Sequence, residues 1–365
     1  MKKMIFKALV CLTLLSTLTS APVREFTGGY KTGEGDSAAV SARSLNVTVS
    51  SRLWELLRGN DDEERTVLIP GGAVFGAKVC DGVLTVTSAG EIHSIKSGDK
   101  LLSLDGIDVK TIADVRGILD TCGGKELIAV LSRGKERFEV RLTPTQDGDT
   151  YRLGIQLKDS TAGIGTITYI DPETCEFGGL GHGICDSETG EVISITGGTV
   201  TGVILSGCKK GEAGKPGELS GILTEKNLGE VTANTELGIF GKLNALPEGK
   251  AERVKIAKRG EVHTGRATII STIKNGKSAK YEIEITEVDT ASVGTKCFKI
   301  RVSDPTLIAL TGGIVRGMSG SPIIQDGKLV GAVTHVMVAN PTEGYGIFIE
   351  NMLNAAQSQA MPKAA

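Results

Sequence analysis

The string Gly317-Met318-Ser319-Gly320-Ser321-Pro322-Ile323-Ile324 holds the residue types that catalysis by a hydroxyl nucleophile needs. A serine hydroxyl is a weak nucleophile at neutral pH. It requires a base within hydrogen-bond reach and donors for the oxyanion it creates. Glycines on both sides of Ser319 permit a turn whose N–H groups converge on one point, and the amides of Gly317 and Ser319 are placed to form that oxyanion hole. The base must come from only four histidines. His93 belongs to an earlier block of the chain, and His263 sits in the polar stretch Arg259-Gly260-Glu261-Val262-His263-Thr264, an exposed strand end. His335 lies in the apolar strand Val330–Val338, where a half-buried, hydrogen-bonded imidazole is the ordinary outcome. His182 stands in Phe177-Gly178-Gly179-Leu180-Gly181-His182-Gly183-Ile184, a turn whose small neighbours leave the ring accessible. It is the first candidate for the base, with His335 in reserve.

Two other chemistries are suggested and rejected. Cys175, His182, Cys185 and Cys208 lack the short spacings of a zinc knuckle. The stretch Lys209-Lys210-Gly211-Glu212-Ala213-Gly214-Lys215-Pro216 lacks both the glycine offset and the Ser/Thr of a phosphate loop. No metal and no cofactor is expected.

The elements that must position these residues are short strands. Glycine makes up 49 of 365 residues, aromatic residues 4% and prolines only 10, a mix suited to Val/Ile/Thr-rich strands and tight turns rather than long helices. Apolar residues at 40% and charged residues at 23% exclude wholesale disorder. With 41 basic against 43 acidic residues the net charge is −2, and no basic block exceeds Lys-Lys, so nucleic acid is not an expected partner. From about 150 to 355, strands recur every 10–20 residues without amphipathic helices between them, which implies a β-barrel or sandwich. A tail follows from 356 to 365. Residues 22–64 read as a linker ending in the acidic run Asp61-Asp62-Glu63-Glu64.

Lys2, Lys3 and Lys7 precede an apolar stretch, and no charge follows until Arg24, so residues 1–21 read as an export signal. Cleavage after Ala21 would leave Pro22 next, which processing enzymes handle badly, so the segment can serve for a time as a membrane anchor. Of seven cysteines, six lie outside this segment at irregular spacing, and free thiols are as compatible with a chain this long as bridges are.

Residues 65–145 resemble a bacterial PDZ domain through Gly98-Asp99-Lys100-Leu101-Leu102-Ser103-Leu104-Asp105-Gly106, followed by an amphipathic stretch with Ile112, Val115, Ile118 and Leu119 on one face. That likeness places a peptide C-terminus on the backbone of Phe75, Gly76 and Ala77. The Gly317–Pro322 string is similar to that of trypsin-like serine peptidases. "GLGHGI", "GMSGSPIIQDGKLVGAVTHV" and "GYGIFIE", behind a signal and a PDZ-like block, together resemble the sporulation-signalling serine peptidases of the stage IV sporulation protein B family. The resemblance implies a mainly β protein, a PDZ domain followed by a trypsin-like double β-barrel. It implies Ser319 as nucleophile, His182 as base and Asp304, in Val302-Ser303-Asp304-Pro305, as the carboxylate that orients the base. Asp186 and Asp171 lie nearer His182 in sequence and remain alternatives. The family also implies export across the forespore membrane into the intermembrane space, self-cleavage, and cutting of a membrane-bound regulator that triggers sigma-factor processing. A scaffold that binds peptides without cutting is the competing reading. A periplasmic quality-control protease is a weaker one, because those carry the PDZ domain after the catalytic unit.

Overall fold

The computed structural model describes residues 66–186, 189–248, 252–274 and 276–360. The expected signal (1–21), the linker (22–64) and the tail beyond 360 lie outside the described residues. The chain opens with β1 (Val67–Pro70) and β2 (Val74–Cys80), then β3 (Leu84–Ser88), β4 (Lys100–Leu104), β5 (Ile107–Asp108) and helix α1 (Ile112–Cys122). Next come β6 (Leu127–Arg133), β7 (Glu136–Leu142), β8 (Thr145–Asp147), β9 (Thr150–Arg152) and β10 (Gln156–Lys158). They lead into β11 (Thr161–Ile170), β12 (Glu176–Gly179), β13 (Gly197–Lys209), β14 (Glu218–Thr235), β15 (Gly238–Leu243) and β16 (Val254–Lys255). The last third holds β17 (Gly265–Lys274), β18 (Lys277–Val288), β19 (Phe298–Val302), α2 (Pro305–Thr311), β20 (Pro322–Gln325), β21 (Lys328–Met337), β22 (Asn340–Phe348) and α3 (Ile349–Ala360).

These strands form two barrels. β12, β15, β14, β13, β2 and β11 pair in that order, and β11 pairs back with β12, which closes the first ring, while β1 and β16 extend it beyond β11. Phe75, Ala77, Val79, Ile167, Phe177, Val200, Val231 and Ile239 fill its interior. The second barrel is the closed ring β17-β18-β19-β22-β21-β20, packed with Ile269, Ile283, Ile285, Phe298, Ile300, Val333 and Phe348. Alternate residues along each strand point inward, so the period-2 apolar pattern becomes two cores. The mainly β, barrel-forming architecture expected from the short glycine-punctuated strands is therefore present, in the double-barrel form that the family resemblance implied.

The block between β2 and β11 is an insertion into the first barrel, with its own sheet, β10-β3-β4-β6-β7, and its own core of Leu84, Val86, Leu101, Leu104, Leu119, Ala129 and Leu131. This moves the boundary expected at residue 65, because Val67–Cys80 belongs to the barrel. It also corrects the assignment of Phe75, Gly76 and Ala77 to a peptide groove. All three are buried in β2. They pair with Gly165, Ile164 and Gly163 of β11 on one side, and Gly76 and Ala77 pair with Thr201 and Val200 of β13 on the other. Their backbone groups are engaged within the sheet and are closed to a ligand.

Asp99 of the Gly-Asp motif is 1% exposed and accepts hydrogen bonds from Arg133 Nε at 2.7 Å, Arg133 Nη2 at 2.8 Å and the Lys96 amide at 2.7 Å. The motif thus joins the start of β4 to the end of β6. The Arg133 contact holds the Asp99 carboxyl below its usual range, against the opposing effect of burial and with help from the Lys96 amide. A depressed pKa stabilises the fold above the unfolded-state value, and that contribution is lost as pH falls through the folded-state value. Asp99→Ala is expected to cost about 2–3 kcal/mol at neutral pH, since it leaves charged and backbone donors unpaired. Urea unfolding measured across a pH series should show the gap from wild type narrowing toward acid.

Candidate active site

The loop after β12 turns through two successive residues of left-handed conformation, Leu180 (φ 65°) and Gly181 (φ 68°). For Leu180 that conformation costs about 1–2 kcal/mol, and its buried side chain against Gly165 holds it there. His182 follows directly. In the second barrel, the Ser319 turn is bounded by Gly317 (φ 96°) and Gly320 (φ 93°). The two turns meet backbone to backbone. A Cβ on Gly320 would stand 2.0 Å from the Thr166 carbonyl oxygen and 2.5 Å from the Leu180 nitrogen. One on Gly181 would stand 2.9 Å from the Thr334 methyl. Folding therefore brings the "GLGHGI" and "GMSGS" strings together.

The state of His182 follows from its one described hydrogen bond. Nδ1 lies 2.9 Å from the Gly183 carbonyl oxygen, which only accepts, so Nδ1 carries the proton and Nε2 keeps its lone pair. Burial pushes the imidazole below its ordinary pKa, partly offset by the Gly183 bond. A neutral ring with a free Nε2 is the form a general base requires. The Ser319 hydroxyl, in turn, donates to the Thr334 carbonyl at 3.0 Å. Engaging His182 requires that the hydroxyl rotate away from that carbonyl.

Above the nucleophile the turn offers donors. The N–H groups of Met318, Gly320 and Ser321 bond to Val315, Val333 and Met318 carbonyls, whereas those of Gly317 and Ser319 enter no hydrogen bond among the described residues. These two are the amides expected to form the oxyanion hole.

Asp304 is corrected. Its Oδ1 accepts from the amides of Thr306 at 2.8 Å and Leu307 at 3.0 Å, capping α2, and its Oδ2 accepts from the Glu282 amide at 3.3 Å. Burial would raise its pKa, but the amides of Leu307, Glu282 and Thr306 outweigh it and hold the carboxyl below the usual value. An Asp before Pro at a helix start is a capping arrangement, and none of these contacts reaches His182. Asp171 likewise accepts from Glu173 and Thr174 amides in a turn, and Asp186 from Thr189. The group that fixes the His182 tautomer is the Gly183 carbonyl, which no spacing of side chains could have indicated.

His335, the reserve base, is in the site after all. Its ring centroid lies 5.4 Å from that of His182. Its Nδ1 is buried without a hydrogen-bond partner among the described residues, and burial, then the neighbouring His182 and Lys296, push its pKa down to about 4. His263 is exposed on Asp326, and His93 is exposed in the inserted block. Sequence reasoning missed Thr166 and Thr168 of β11, both fully buried, whose hydroxyls donate at 2.8 Å to the carbonyls of Gly317 and Gly320. Their spacing of two, which puts both on one strand face, was the available signal. All six described cysteines are free.

Asn caps a helix as well as Asp does. Asp304→Asn is therefore expected to keep labelling by a fluorophosphonate, which reports an activated serine, near the wild-type rate. Asp304→Ala should lower stability by about 1 kcal/mol. A carboxylate working on His182 would instead make the Asn variant about 10⁴-fold slower. The labelling rate should also fall with acid only below the ordinary histidine range, because a lowered pKa keeps His182 neutral further into acid. An acid limb at or above that range, followed across a pH series, would reassign the base.

The SpoIVB peptidase S55 family model matches residues 149–353, more than half of the chain. A 132-residue stretch is 27% identical to an Agrobacterium fabrum protein that bears the name of a zinc metalloprotease, and it covers 34% of either chain, so the match spans about a third of that relative's length. Among solved structures, the active form of the Rv3671c protease from M. tuberculosis is 13% identical over 56% of this chain and 77% of that one, with a TM-score of 0.32. The HtrA-type protease AlgW with a tripeptide is 14% identical over 54% of this chain and 56% of that one, also at 0.32. With the family match spanning both turns of the site, the chain belongs to the SpoIVB peptidase S55 family.

Proposed function

We propose that this chain is an exported serine endopeptidase that cleaves its own N-terminal region and then a membrane-bound regulator during sporulation, so that a sigma factor is processed. One observation carries the catalytic part: the turn that bears His182, whose Nδ1 rests on the Gly183 carbonyl, packs at Gly320 against the turn that bears Ser319, and in that second turn the Gly317 and Ser319 amides enter no hydrogen bond among the described residues. In the reaction, the Ser319 hydroxyl turns from Thr334 and attacks a peptide carbonyl while His182 Nε2 takes its proton. The two amides hold the resulting oxyanion. The same proton then passes to the leaving amine, and water repeats the sequence on the acyl-enzyme. β21 pairs with β22 through His335–Met337, and its other edge there has no strand partner among the described residues. An extended substrate can add along that edge.

Export rests on the Lys2–Lys7 start and the apolar stretch behind it, which suit delivery across the forespore membrane into the intermembrane space with the N-terminal segment as a transient anchor. We read the inserted block as a PDZ domain that positions substrate or restrains the enzyme. Its groove lies between α1 and the 150–157 segment, a space of about 580 Å³ lined by Ile112, Val115, Leu119, Tyr151, Ile155 and Leu157. β10 is the edge strand there, to which a peptide C-terminus can add. The Asp159 carboxylate accepts from the Ile112 amide at 3.2 Å, which joins the start of α1 to the approach to β11.

A second reading, a peptide-binding scaffold without activity, is favoured by the Ser319 hydroxyl resting on Thr334 rather than on His182. Fluorophosphonate labelling separates the two. The peptidase reading expects labelling that both Ser319→Ala and His182→Ala abolish, and Ser319→Ala protein that melts like wild type yet neither shortens itself nor cuts in trans. Purified Ser319→Ala protein that still shortens itself would overturn the reading.

A further inference from the structure

Four successive peptide planes make up the nucleophile turn, and the carbonyl of each is held. Arg316 O accepts from the Leu219 amide at 2.9 Å, and Met318 O accepts from the Ser321 amide at 2.9 Å. In a trans peptide the N–H points opposite to the carbonyl of its own plane. These two bonds therefore aim the Gly317 and Ser319 N–H groups away from Leu219 and Ser321. The alternate planes are held by a single residue of the other barrel. Thr166 Oγ1 donates to Gly317 O at 2.8 Å, and the Thr166 amide donates to Ser319 O at 2.9 Å. The Thr166 carbonyl, on the same residue, accepts from the Leu180 amide at 3.2 Å, two residues before His182.

We propose that Thr166 is the positioning residue that preforms the oxyanion hole and sets its distance from the base. This rests on the peptidase reading and adds to it a residue that touches neither substrate nor reacting atoms. The hydroxyl is the part open to test, since the strand supplies the amide whatever the side chain. Thr166 is fully buried, so its hydroxyl meets no water, and without it the Gly317 carbonyl is left unpaired and its peptide plane is held only by the Met318 amide on the Val315 carbonyl at 3.1 Å. The other carbonyl of the pair keeps its bond. The hole then forms only in part of the population, which lowers the rate of the chemical step and leaves substrate binding along β21 untouched.

The test compares wild type, Thr166→Val, which keeps the shape and loses the hydroxyl, and Thr166→Ser, which keeps the hydroxyl. Each is followed by thermal melting, fluorophosphonate labelling rate, kcat and KM on a peptide substrate, and affinity for a peptide boronic acid that forms a tetrahedral adduct. Thr166→Val is expected to lose about 10- to 100-fold in kcat, with KM unchanged and boronate affinity falling in parallel. Thr166→Ser should recover most of the loss. A Thr166→Val protein that labels and turns over like wild type would overturn the proposal, as would a loss confined to KM. If Thr166→Val does not fold, Thr166→Ala is read in the same assays. Failure of both to fold while Thr166→Ser folds would make the hydroxyl a requirement of folding and also overturn the proposal. Wild-type protein that fails to label points instead to failure of the peptidase reading, so the two are distinguished.

Discussion

Two turns from different barrels meet at Gly320, and the site depends on the absence of a side chain there. The closest neighbours of a hypothetical Cβ are backbone atoms of Thr166 and Leu180, which cannot swing aside as a flexible side chain can. Any larger residue would therefore push the base-bearing turn away from the nucleophile-bearing turn. The left-handed φ at Gly320 restricts the position to glycine a second time. The strained Leu180 conformation belongs to the same constraint, because it directs the chain over Gly320 and delivers His182 immediately beyond it. Strain of this kind persists where packing over-determines it, and here the Leu180 side chain against Gly165 does so.

The threonine pair on β11 turns that contact into a defined geometry. Apolar packing alone would hold the two barrels together without specifying which way each carbonyl of the turn points. Buried hydrogen bonds specify direction, because a buried carbonyl without its donor costs about 1–3 kcal/mol. Thr166 and Thr168 sit two apart on one strand face and place hydroxyls against Gly317 and Gly320. The inserted block shares this geometry by covalent continuity. β10 pairs with β3 inside the block, and only Asp159 and Ser160 separate it from β11.

Much of the architecture and the two strings that meet in the candidate site were legible in the sequence, for reasons that differ. The strands could be read because glycine and β-branched residues mark tight turns and pleated faces. Ser319 could be read because glycines flank it, and His182 because its neighbours are small. The insertion of the block into the first barrel could not. Val74–Cys80 alternates in a way that fits either sheet, and its partners in β11 lie more than 80 residues away. Asp304 misled because an Asp-Pro pair serves a helix start and a catalytic turn with the same letters, and only its amide partners tell them apart. His335 was read as a reserve base, but its place beside His182 was not legible, since strand periodicity says which face a ring occupies and not which ring it meets across the cleft.

That the His182 Nδ1 rests on the Gly183 carbonyl bears on where transition-state stabilisation would come from in the proposed reaction. In a Ser-His-Asp arrangement the carboxylate both sets the tautomer and stabilises the imidazolium that forms. Here the Gly183 carbonyl performs the first task fully, since only the Nδ1-protonated ring satisfies it, but as a neutral dipole it performs the second more weakly. His335 could have made matters worse, because two imidazoles side by side disfavour each other's protonation. Its burial removes the difficulty by keeping it neutral down to about pH 4, so the proton from Ser319 meets no like charge. With less stabilisation available on the side of the base, more of the burden falls on the oxyanion donors. That is consistent with a turn in which every carbonyl from Arg316 to Ser319 is held in place.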